Sequence, residues 1–334
     1  MVSTVTEETN TMRITRRAAM SAFGATAAAL TVPALAQTAW PSRTIRLIVP
    51  FAPGGPVEVP ARFLADHLSR SLGQAVLVET RPGAGGSIGA REVVQANDPH
   101  TLLVSTTGVA IAPALMRNPG YDPLADLTPL TVISDAPMVL LCKPDHAIRN
   151  LAELIARAKA QPGAITYATS GVGSTTHMGG ALFGVRAGID LLHVPYRGAA
   201  QATTATLAGD TDLLVVGTIE ALPHLRDGRL RAIAVTSGDR VGAMPGVPSI
   251  GEAVPGFDLS IWYAMFGPRN TPPEVVARIA REVAPLARGN VLAERMEASG
   301  AKLLLDGPAR LAERMRVEVP QWREVAQAAG IRAE

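Results

Sequence analysis

The chain has 334 residues, of which 47% are hydrophobic and only 4% aromatic, so its core must rest on aliphatic side chains. Its formal net charge is +2, and no run of like charges occurs after residue 36, which argues against the concentrated basic face that nucleic-acid binding requires. The six histidines and the single cysteine lack metal-ligand spacing, and neither a metal nor a cofactor is predicted.

The N-terminal segment 1–36 is typical of an export signal rather than of a folded domain. Arg16 and Arg17 precede an Ala-rich apolar stretch over residues 18–35, and the small residues at its end predict cleavage after Ala36. The paired arginines favour the twin-arginine route, with general secretory export as the alternative. We therefore expect a periplasmic protein.

Beyond this segment one pattern repeats: a short β-branched run, a turn rich in glycine or hydroxyl residues, then helical spacing of apolar residues. Strands are predicted, in chain order, at residues 45–49, 75–79, 101–106, 165–169, 191–194, 213–216 and 230–235. A capping-box pattern at 271–274 and the Asp-Gly-Pro at 306–308 predict the starts of two later helices. The alternation indicates an α/β fold with parallel strands covered on both faces.

Two strand–turn–helix junctions, near residues 50–60 and 168–178, predict an anion site. The first N–H groups of a helix lack intrahelical partners and carry partial positive charge, and glycine in the turn lets a ligand approach the backbone. Three hydroxyl residues, 174–176, lie at the second junction, and His177 follows them. The alternative interpretation is that these residues only cap or pack helices, as they do in any α/β protein.

An enzymatic interpretation rests on Ser87. The sequence GGSIG at 85–89 matches the G-x-S-x-G pattern of α/β-hydrolases, but residues 81–84 separate it from the preceding strand, whereas that pattern places its serine directly after a strand. The same stretch lacks the third glycine of a dinucleotide fingerprint and the lysine of a phosphate loop. No catalytic residue is predicted, and an exported serine hydrolase is the less favoured alternative.

Several motifs follow one another along the chain in a recognisable order. They are RTIRLIVPFAPGGP at 43–56, VETRPGAGGSIGA at 78–90, HVPYRG at 193–198, ALPH at 221–224, LRAIAV at 230–235, PSIGEA at 248–253 and TPPE at 271–274. Together they resemble the motifs of the Bug-type receptors, the substrate-binding proteins of tripartite tricarboxylate transporters. The likeness covers the chain from Trp40 to Arg332.

The resemblance implies a type II periplasmic-binding-protein fold, with two α/β lobes and a ligand cleft between them. It places lobe 1 at residues 37–140 plus 258–334 and lobe 2 at residues 141–257. It implies a monomer without enzymatic activity that binds a small carboxylate and delivers it to the membrane subunits of a tripartite transporter. A ligand-sensing receptor that feeds a sensor kinase is the alternative, since it would use the same fold.

In that family the ligand lies between the turns that correspond to residues 51–58 and 170–177. The ligand-binding residues predicted for this chain come from these turns and from neighbouring strand ends. They are Phe51, Pro53, Gly54, Gly55, Val57, Glu58, Thr106, Thr107, Ser170, Val172, Gly173, Ser174, Thr175, Thr176, His177 and Val216.

Four positions depart from the polar residues that are common in the family. The pair Val57-Glu58 replaces Thr-Asp, Val172 and Ala112 each replace Asn, and Val216-Gly217 replaces Asp-Asn. Burying polar ligand groups beside apolar residues costs about 1–3 kcal/mol per unpaired group. We therefore expect an acid less polar than citrate or aspartate, unless some of these positions face away from the ligand.

Overall fold

Strands and helices alternate along the computed structural model, which describes Met1 and residues 40–51, 53 and 57–331. Apart from Met1, the predicted export signal and its cleavage site after Ala36 lie outside the described residues. Residues 43–334 group into one unit, separate from residues 1–42, and the fold below is that of this larger unit. Over the ranges just given, none of the helices combines the length and the apolar character that a membrane span needs.

The described residues form a ten-stranded sheet with helices between most of its strands. The strands are β1 (Ile45–Val49), β2 (Val76–Thr80), β3 (Thr101–Thr106), β4 (Leu127–Cys142), β5 (Thr166–Thr169), β6 (Leu192–Pro195), β7 (Leu213–Gly217), β8 (Arg231–Val235), β9 (Ser260–Pro268) and β10 (Lys302–Leu303). The helices are α1 (Glu58–Leu72), α2 (Ser87–Ala96), α3 (Gly108–Leu115), α4 (Leu151–Ala160), α5 (Thr175–Ala187), α6 (Ala199–Ala208), α7 (Thr218–Arg226), α8 (Pro273–Val283), α9 (Val291–Ala298) and α10 (Pro308–Ala328). All seven predicted strands are present with bounds that agree to within one residue.

The sheet order is β2-β1-β3-β9-β4-β7-β5-β6, and both β8 and β10 pair with β4. The expected parallel pairing holds at each end, where β1 lies between β2 and β3, and β5 lies between β6 and β7. In the middle, β4 and β9 run antiparallel to their neighbours. The prediction of parallel strands alone is therefore wrong at the centre of the sheet.

The long strand β4 joins the two parallel sets. Its first part, Leu127–Pro137, pairs with β9, and its last part, Met138–Leu141, pairs with β7. Trp262 of β9 and Trp322 of α10 are fully buried beside this centre, so α10 covers the strands that link the two ends of the sheet. The centre is thus a continuous apolar core rather than a solvated linker.

Local sequence also predicted where the two later helices begin, but it was wrong about the cap of one of them. Helix α10 begins at Pro308, directly after Gly307, as predicted. Helix α8 begins at Pro273, but the predicted capping box does not form, because Thr271 Oγ1 donates to the Pro268 carbonyl, 2.7 Å away, instead of accepting from the helix. Proline in the first helical turn starts this helix without a side-chain cap.

Candidate functional site

Among the strands that end at turns leading into helices are β1, β3, β5 and β7. Since β1 and β3 are parallel neighbours, as are β5 and β7, the carboxyl ends of each pair meet at one edge of the sheet. The two edges approach each other, because a Cβ placed on Gly173, after β5, would lie 2.8 Å from Leu115 Cδ1 in α3, after β3. The structure therefore brings the turn after β5 against the helix after β3.

The turn after β5 is held by its own hydroxyl groups. Ser174 Oγ accepts from the His177 N–H at 3.1 Å and donates to the Gly171 carbonyl at 2.7 Å. Thr176 Oγ1 accepts from the Ser170 N–H at 3.2 Å and lies 2.9 Å from Ser170 Oγ. Ser174 is thus the N-cap of α5, which supports the capping interpretation for this residue.

Several donors in the same turn are left over once the cap is formed. Among the described residues, the N–H groups of Val172, Thr175 and Thr176 have no hydrogen-bond acceptor, nor has the Thr175 hydroxyl. Val172 is 58% exposed, so this part of the turn is open to solvent. The first turn of α5 consequently offers unpaired donors on a shape that the hydroxyl groups fix.

His177 belongs to a stacked pair of imidazoles beneath this turn. Its ring lies 3.6 Å from that of His193, with 11° between the planes, and its Nδ1 accepts from the Gly173 N–H at 3.1 Å. His193 Nε2 is 2.7 Å from Thr169 Oγ1. Desolvation lowers the pKa of each ring to about 4, and for His177 repulsion from His193 adds to the effect. Both rings are neutral at neutral pH, which favours a packing role for His177 over a charged contact with an anion.

The turn after β1 has a different character. Gly54 and Gly55 lie outside the described residues, whereas Phe51, Pro53, Val57 and Glu58 are described. Val57 and Glu58 are both buried at the start of α1. The Glu58 carboxylate accepts from Arg62 Nε at 2.8 Å, one turn along the helix. A carboxylate thus already occupies the first turn of this helix, where an anionic ligand would be attracted.

The remaining predicted residues lie at or inside the strand ends. Thr107 is fully buried, with its N–H and Oγ1 bonded to the Trp262 carbonyl and N–H, both at 3.1 Å. Thr106 Oγ1 accepts from the Gly108 N–H at 3.2 Å. Val216 pairs with Val139 and is buried in an apolar cluster. These positions shape the strand ends, and only Val172 among the four family departures is exposed.

Two residues that the sequence did not single out lie at the same edge. Tyr263 stands opposite Thr106 in the pairing of β3 with β9, and Glu220 is in the first turn of α7. Desolvation raises the pKa of both side chains. Neither residue belongs to a Gly-rich or Ser/Thr-rich turn: Tyr263 lies within β9, which was not predicted as a strand, and Glu220 follows a turn with a single glycine, Gly217.

A cavity of about 810 Å³ lies elsewhere, between α4, α5, β6 and the end of α10. Of the predicted ligand-binding residues only His177 lines it, and Lys159 and Asp190 contribute one charge of each sign. Its wall includes Gly184 and Gly188 at the C-terminal end of α5, where the helix carries partial negative charge. This cavity therefore suits a carboxylate less well than the helix N-termini do.

The described residues give little support for serine hydrolysis or for metal binding. Ser87 begins α2 fully buried, and its hydroxyl donates to Met116 Sδ at 3.4 Å, a weak acceptor that cannot act as a general base. No group of three or more His, Cys, Asp or Glu side chains among residues 40–51, 53 and 57–331 is arranged to hold a metal ion. The arrangement at the strand ends is suited to binding an anion.

Comparison with known proteins identifies relatives over most of the length. A family model described as the tripartite tricarboxylate transporter family receptor matches residues 60–305. The protein BugT of Bordetella pertussis is 35% identical over 327 residues, covering 96% of this chain and 99% of its own.

Two solved structures share the fold. The periplasmic binding protein BugD superposes with a TM-score of 0.73 at 33% identity, over 88% of this chain and 100% of its own. An R. palustris protein solved with adipate superposes with a TM-score of 0.74 at 31% identity, also over 88% of this chain and 100% of its own. These likenesses confirm the predicted α/β periplasmic-binding-protein fold.

Proposed function

This chain belongs to the family of tripartite tricarboxylate transporter receptors, and from that membership we propose that it binds a small carboxylate. The family consists of periplasmic solute-binding proteins, which confirms the predicted resemblance and the expectation of a binding protein rather than an enzyme. The proposed sequence of events is capture in the periplasm and then delivery to the membrane subunits of a tripartite transporter.

We propose that capture takes place between two lobes, residues 37–140 plus 258–334 and residues 141–257. The strand pairing supports this division, because β5, β6 and β7 with their helices all fall within residues 141–257. The chain leaves the first set along β4 and returns to it along β9. Both connections are continuous strands, so the lobes would move about a sheet rather than about a flexible linker.

The observation that best supports carboxylate binding is the set of unpaired donors at the start of α5. The N–H groups of Thr175 and Thr176 and the Thr175 hydroxyl have no acceptor within the described residues, and they lie at the positive end of a 13-residue helix. A hydrogen bond to an ionised group contributes about 1.5–3 kcal/mol. A few such bonds support micromolar binding, about −8 kcal/mol, after the entropy of association is subtracted.

The ligand that we propose is an aliphatic or aromatic acid less polar than citrate or aspartate. Val172 supports this, because it is exposed in the turn that holds the unpaired donors. Val57 and Val216 lend less support, since their side chains are buried. The R. palustris relative solved with adipate offers a precedent for an acid with an apolar middle.

Thermal unfolding against a panel of acids tests this proposal. Residues 37–334 are unfolded, washed and refolded to remove any bound molecule, then heated with adipate, benzoate, butyrate, citrate or aspartate. An acid at about 100 times its Kd should add about 2.7 kcal/mol of stability. A shift with adipate or a monoacid is the expected result. A larger shift with citrate or aspartate would contradict the proposal that the ligand is less polar than these acids. No shift with any acid would contradict carboxylate binding.

Delivery to a transporter needs a separate measurement in cells. The gene is deleted, and uptake of the acid identified above is followed with a radioactive label. Loss of uptake, restored by the full-length chain, is the expected result. Unchanged uptake in the deletion strain would contradict the transport role and leave the binding function intact.

A further inference from the structure

Glu220 folds back over the end of β7 in a way that depends on the neighbouring glycine. Strand β7 ends at Gly217 and α7 begins at Thr218, so Glu220 is the third residue of the helix. A Cβ placed on Gly217 would lie 2.6 Å from Glu220 Oε2. Any side chain at 217 would therefore displace the carboxylate, and the glycine leaves the room that it occupies.

From β9, Tyr263 approaches the same place. It stands opposite Thr106 at the end of β3, and its neighbour Ile261 has its Cδ1 3.7 Å from a Cβ placed on Gly217. Tyr263 is only 5% exposed, and its hydroxyl makes no hydrogen bond to another described residue. Burial raises the pKa of Tyr263, and the charge of Glu220 raises it further, which places the carboxylate within electrostatic reach of the phenol.

The carboxylate of Glu220 has no cation to balance it. Across residues 40–51, 53 and 57–331, no ion pair includes Glu220, and no side chain donates a hydrogen bond to it. Desolvation raises its pKa, and a hydrogen bond from its own backbone N–H offsets only part of this rise. By contrast, the buried Glu318 on α10 bonds both Arg314 and Trp262. Glu220 thus lacks a side-chain partner among the described residues and can accept a hydrogen bond from a ligand.

The pair lies where the two sets of parallel strands meet. Thr106 leads into α3 and Gly217 leads into α7, so Tyr263 and Glu220 border the ends of strands from both proposed lobes. Because β5 and β7 are parallel neighbours, the starts of α5 and α7 lie at the same edge of the sheet, and an acid held by the donors of α5 can extend toward this pair. A carboxylate at that end would be repelled by Glu220, whereas a hydrogen-bond donor would be attracted.

We propose that Glu220, with Tyr263 beside it, recognises a hydroxyl or ammonium group at the far end of the bound acid. This inference rests on the proposed carboxylate-binding function and narrows its ligand class to acids that also carry a donor. It also changes the interpretation of the departure at Val216-Gly217: the polar group absent from the end of β7 is supplied by Glu220 from the first turn of the next helix.

Pairs of acids that differ by a single donor test the proposal. The refolded protein is titrated calorimetrically with butyrate, 4-hydroxybutyrate and 4-aminobutyrate, and with benzoate and 4-hydroxybenzoate. We expect a donor-bearing acid to bind about tenfold more tightly than its parent, the effect of one hydrogen bond to a charged group. Glu220→Ala should abolish this preference and leave the affinity for the parent acid unchanged or higher.

Two further variants identify the donor and control for charge. Glu220→Gln keeps an acceptor but not the negative charge, so it should retain part of a preference for the hydroxyl acid and lose a preference for the amino acid. Glu297→Ala removes an exposed carboxylate on α9 and should change neither affinity nor preference. Thermal unfolding of each variant without ligand checks the fold, and Glu220→Gln should raise the midpoint at pH 7.5, because it removes a desolvated charge.

The outcomes separate this inference from the function on which it rests. If Glu220→Ala binds every pair with the wild-type ratio, Glu220 does not recognise the donor and the inference is overturned while carboxylate binding stands. The same holds if the wild type prefers the parent acids. If the wild type binds no member of any pair but is stabilised by adipate, the inference fails while carboxylate binding stands. If no acid of the earlier panel stabilises it either, both fail.

Discussion

The two turns expected to hold the ligand are organised by opposite means. The turn at 170–177 is fixed by hydrogen bonds among its own side chains, and it keeps unpaired N–H groups for a ligand. In the turn at 51–58 the described side chains are mainly apolar, and its one carboxylate, Glu58, pairs with Arg62 along α1. Of the two turns, the second therefore offers more unpaired donors to the proposed anionic ligand.

Low pH should destabilise the fold through the second turn and not through the first. This loss of stability is the largest effect that we expect. The pKa of His177 and of His193 is about 4 in the folded state, below the unfolded value of about 6.5. A lowered histidine pKa stabilises the fold above pH 6.5, and this contribution is lost as the pH falls toward 4. For buried His177 the loss amounts to about 3 kcal/mol. Urea unfolding at pH 7.5 and 4.5 measures it.

The control for this prediction removes the stack. His177→Gln with His193→Gln should make the stability difference between the two pH values clearly smaller than in the wild type. His67→Gln removes a histidine outside the stack, bonded to the Glu282 carbonyl, and should leave the difference intact. An equal pH dependence in the double variant and the wild type would show that the stacked rings do not govern acid stability.

Removing the cap of α5 should affect both the stability of the fold and the affinity for the ligand. Ser174→Ala loses the bond to the His177 N–H and should destabilise the fold by about 1 kcal/mol. Affinity for the acid found in the panel should also fall, because the N–H groups of Thr175 and Thr176 are no longer held in place. Thermal unfolding and calorimetric titration measure the two effects.

Asn150→Ala is the matched control, since Asn150 caps α4 in the same manner, accepting from the Glu153 N–H at 2.9 Å. It should cost about as much stability as Ser174→Ala and leave affinity unchanged. Equal binding by both variants would mean that the cap serves folding alone and that the turn at 170–177 does not need it to hold a ligand.

Sequence alone predicted the parts of the molecule that local chemistry determines. Strand bounds and the starts of α5 and α10 follow from β-branched runs, glycine and proline, and they agree with the structure. The crossing strands β4 and β9 were not predicted, because β4 contains Pro129, Asp135 and Pro137 and owes its extended form to pairing with distant residues.

The same limit applies to the candidate site. The hydroxyl-rich turn was found because capping is local, whereas the burial of Val216 and Thr107 depends on β4 and β9. Glu220 and Tyr263 come together only when these crossing strands are in place. Residues that owe their role to tertiary neighbours leave no pattern in a single sequence.

The smallest effect should come from the charge at the first turn. Glu58 places a buried negative charge in the first turn of α1, where it competes with an anionic ligand for the positive end of the helix. Glu58→Gln should therefore tighten binding of the panel acid about two- to fivefold, and Arg62→Gln, which removes the paired cation, should weaken it by a similar factor. Calorimetry in 20 mM and 500 mM salt measures both changes in affinity, and screening by salt should make each of them smaller.

Opposite changes in the two variants would show that the first turn acts on the ligand through charge. Changes of the same sign, or none, would confine recognition to the second turn and make the contrast between the two turns complete.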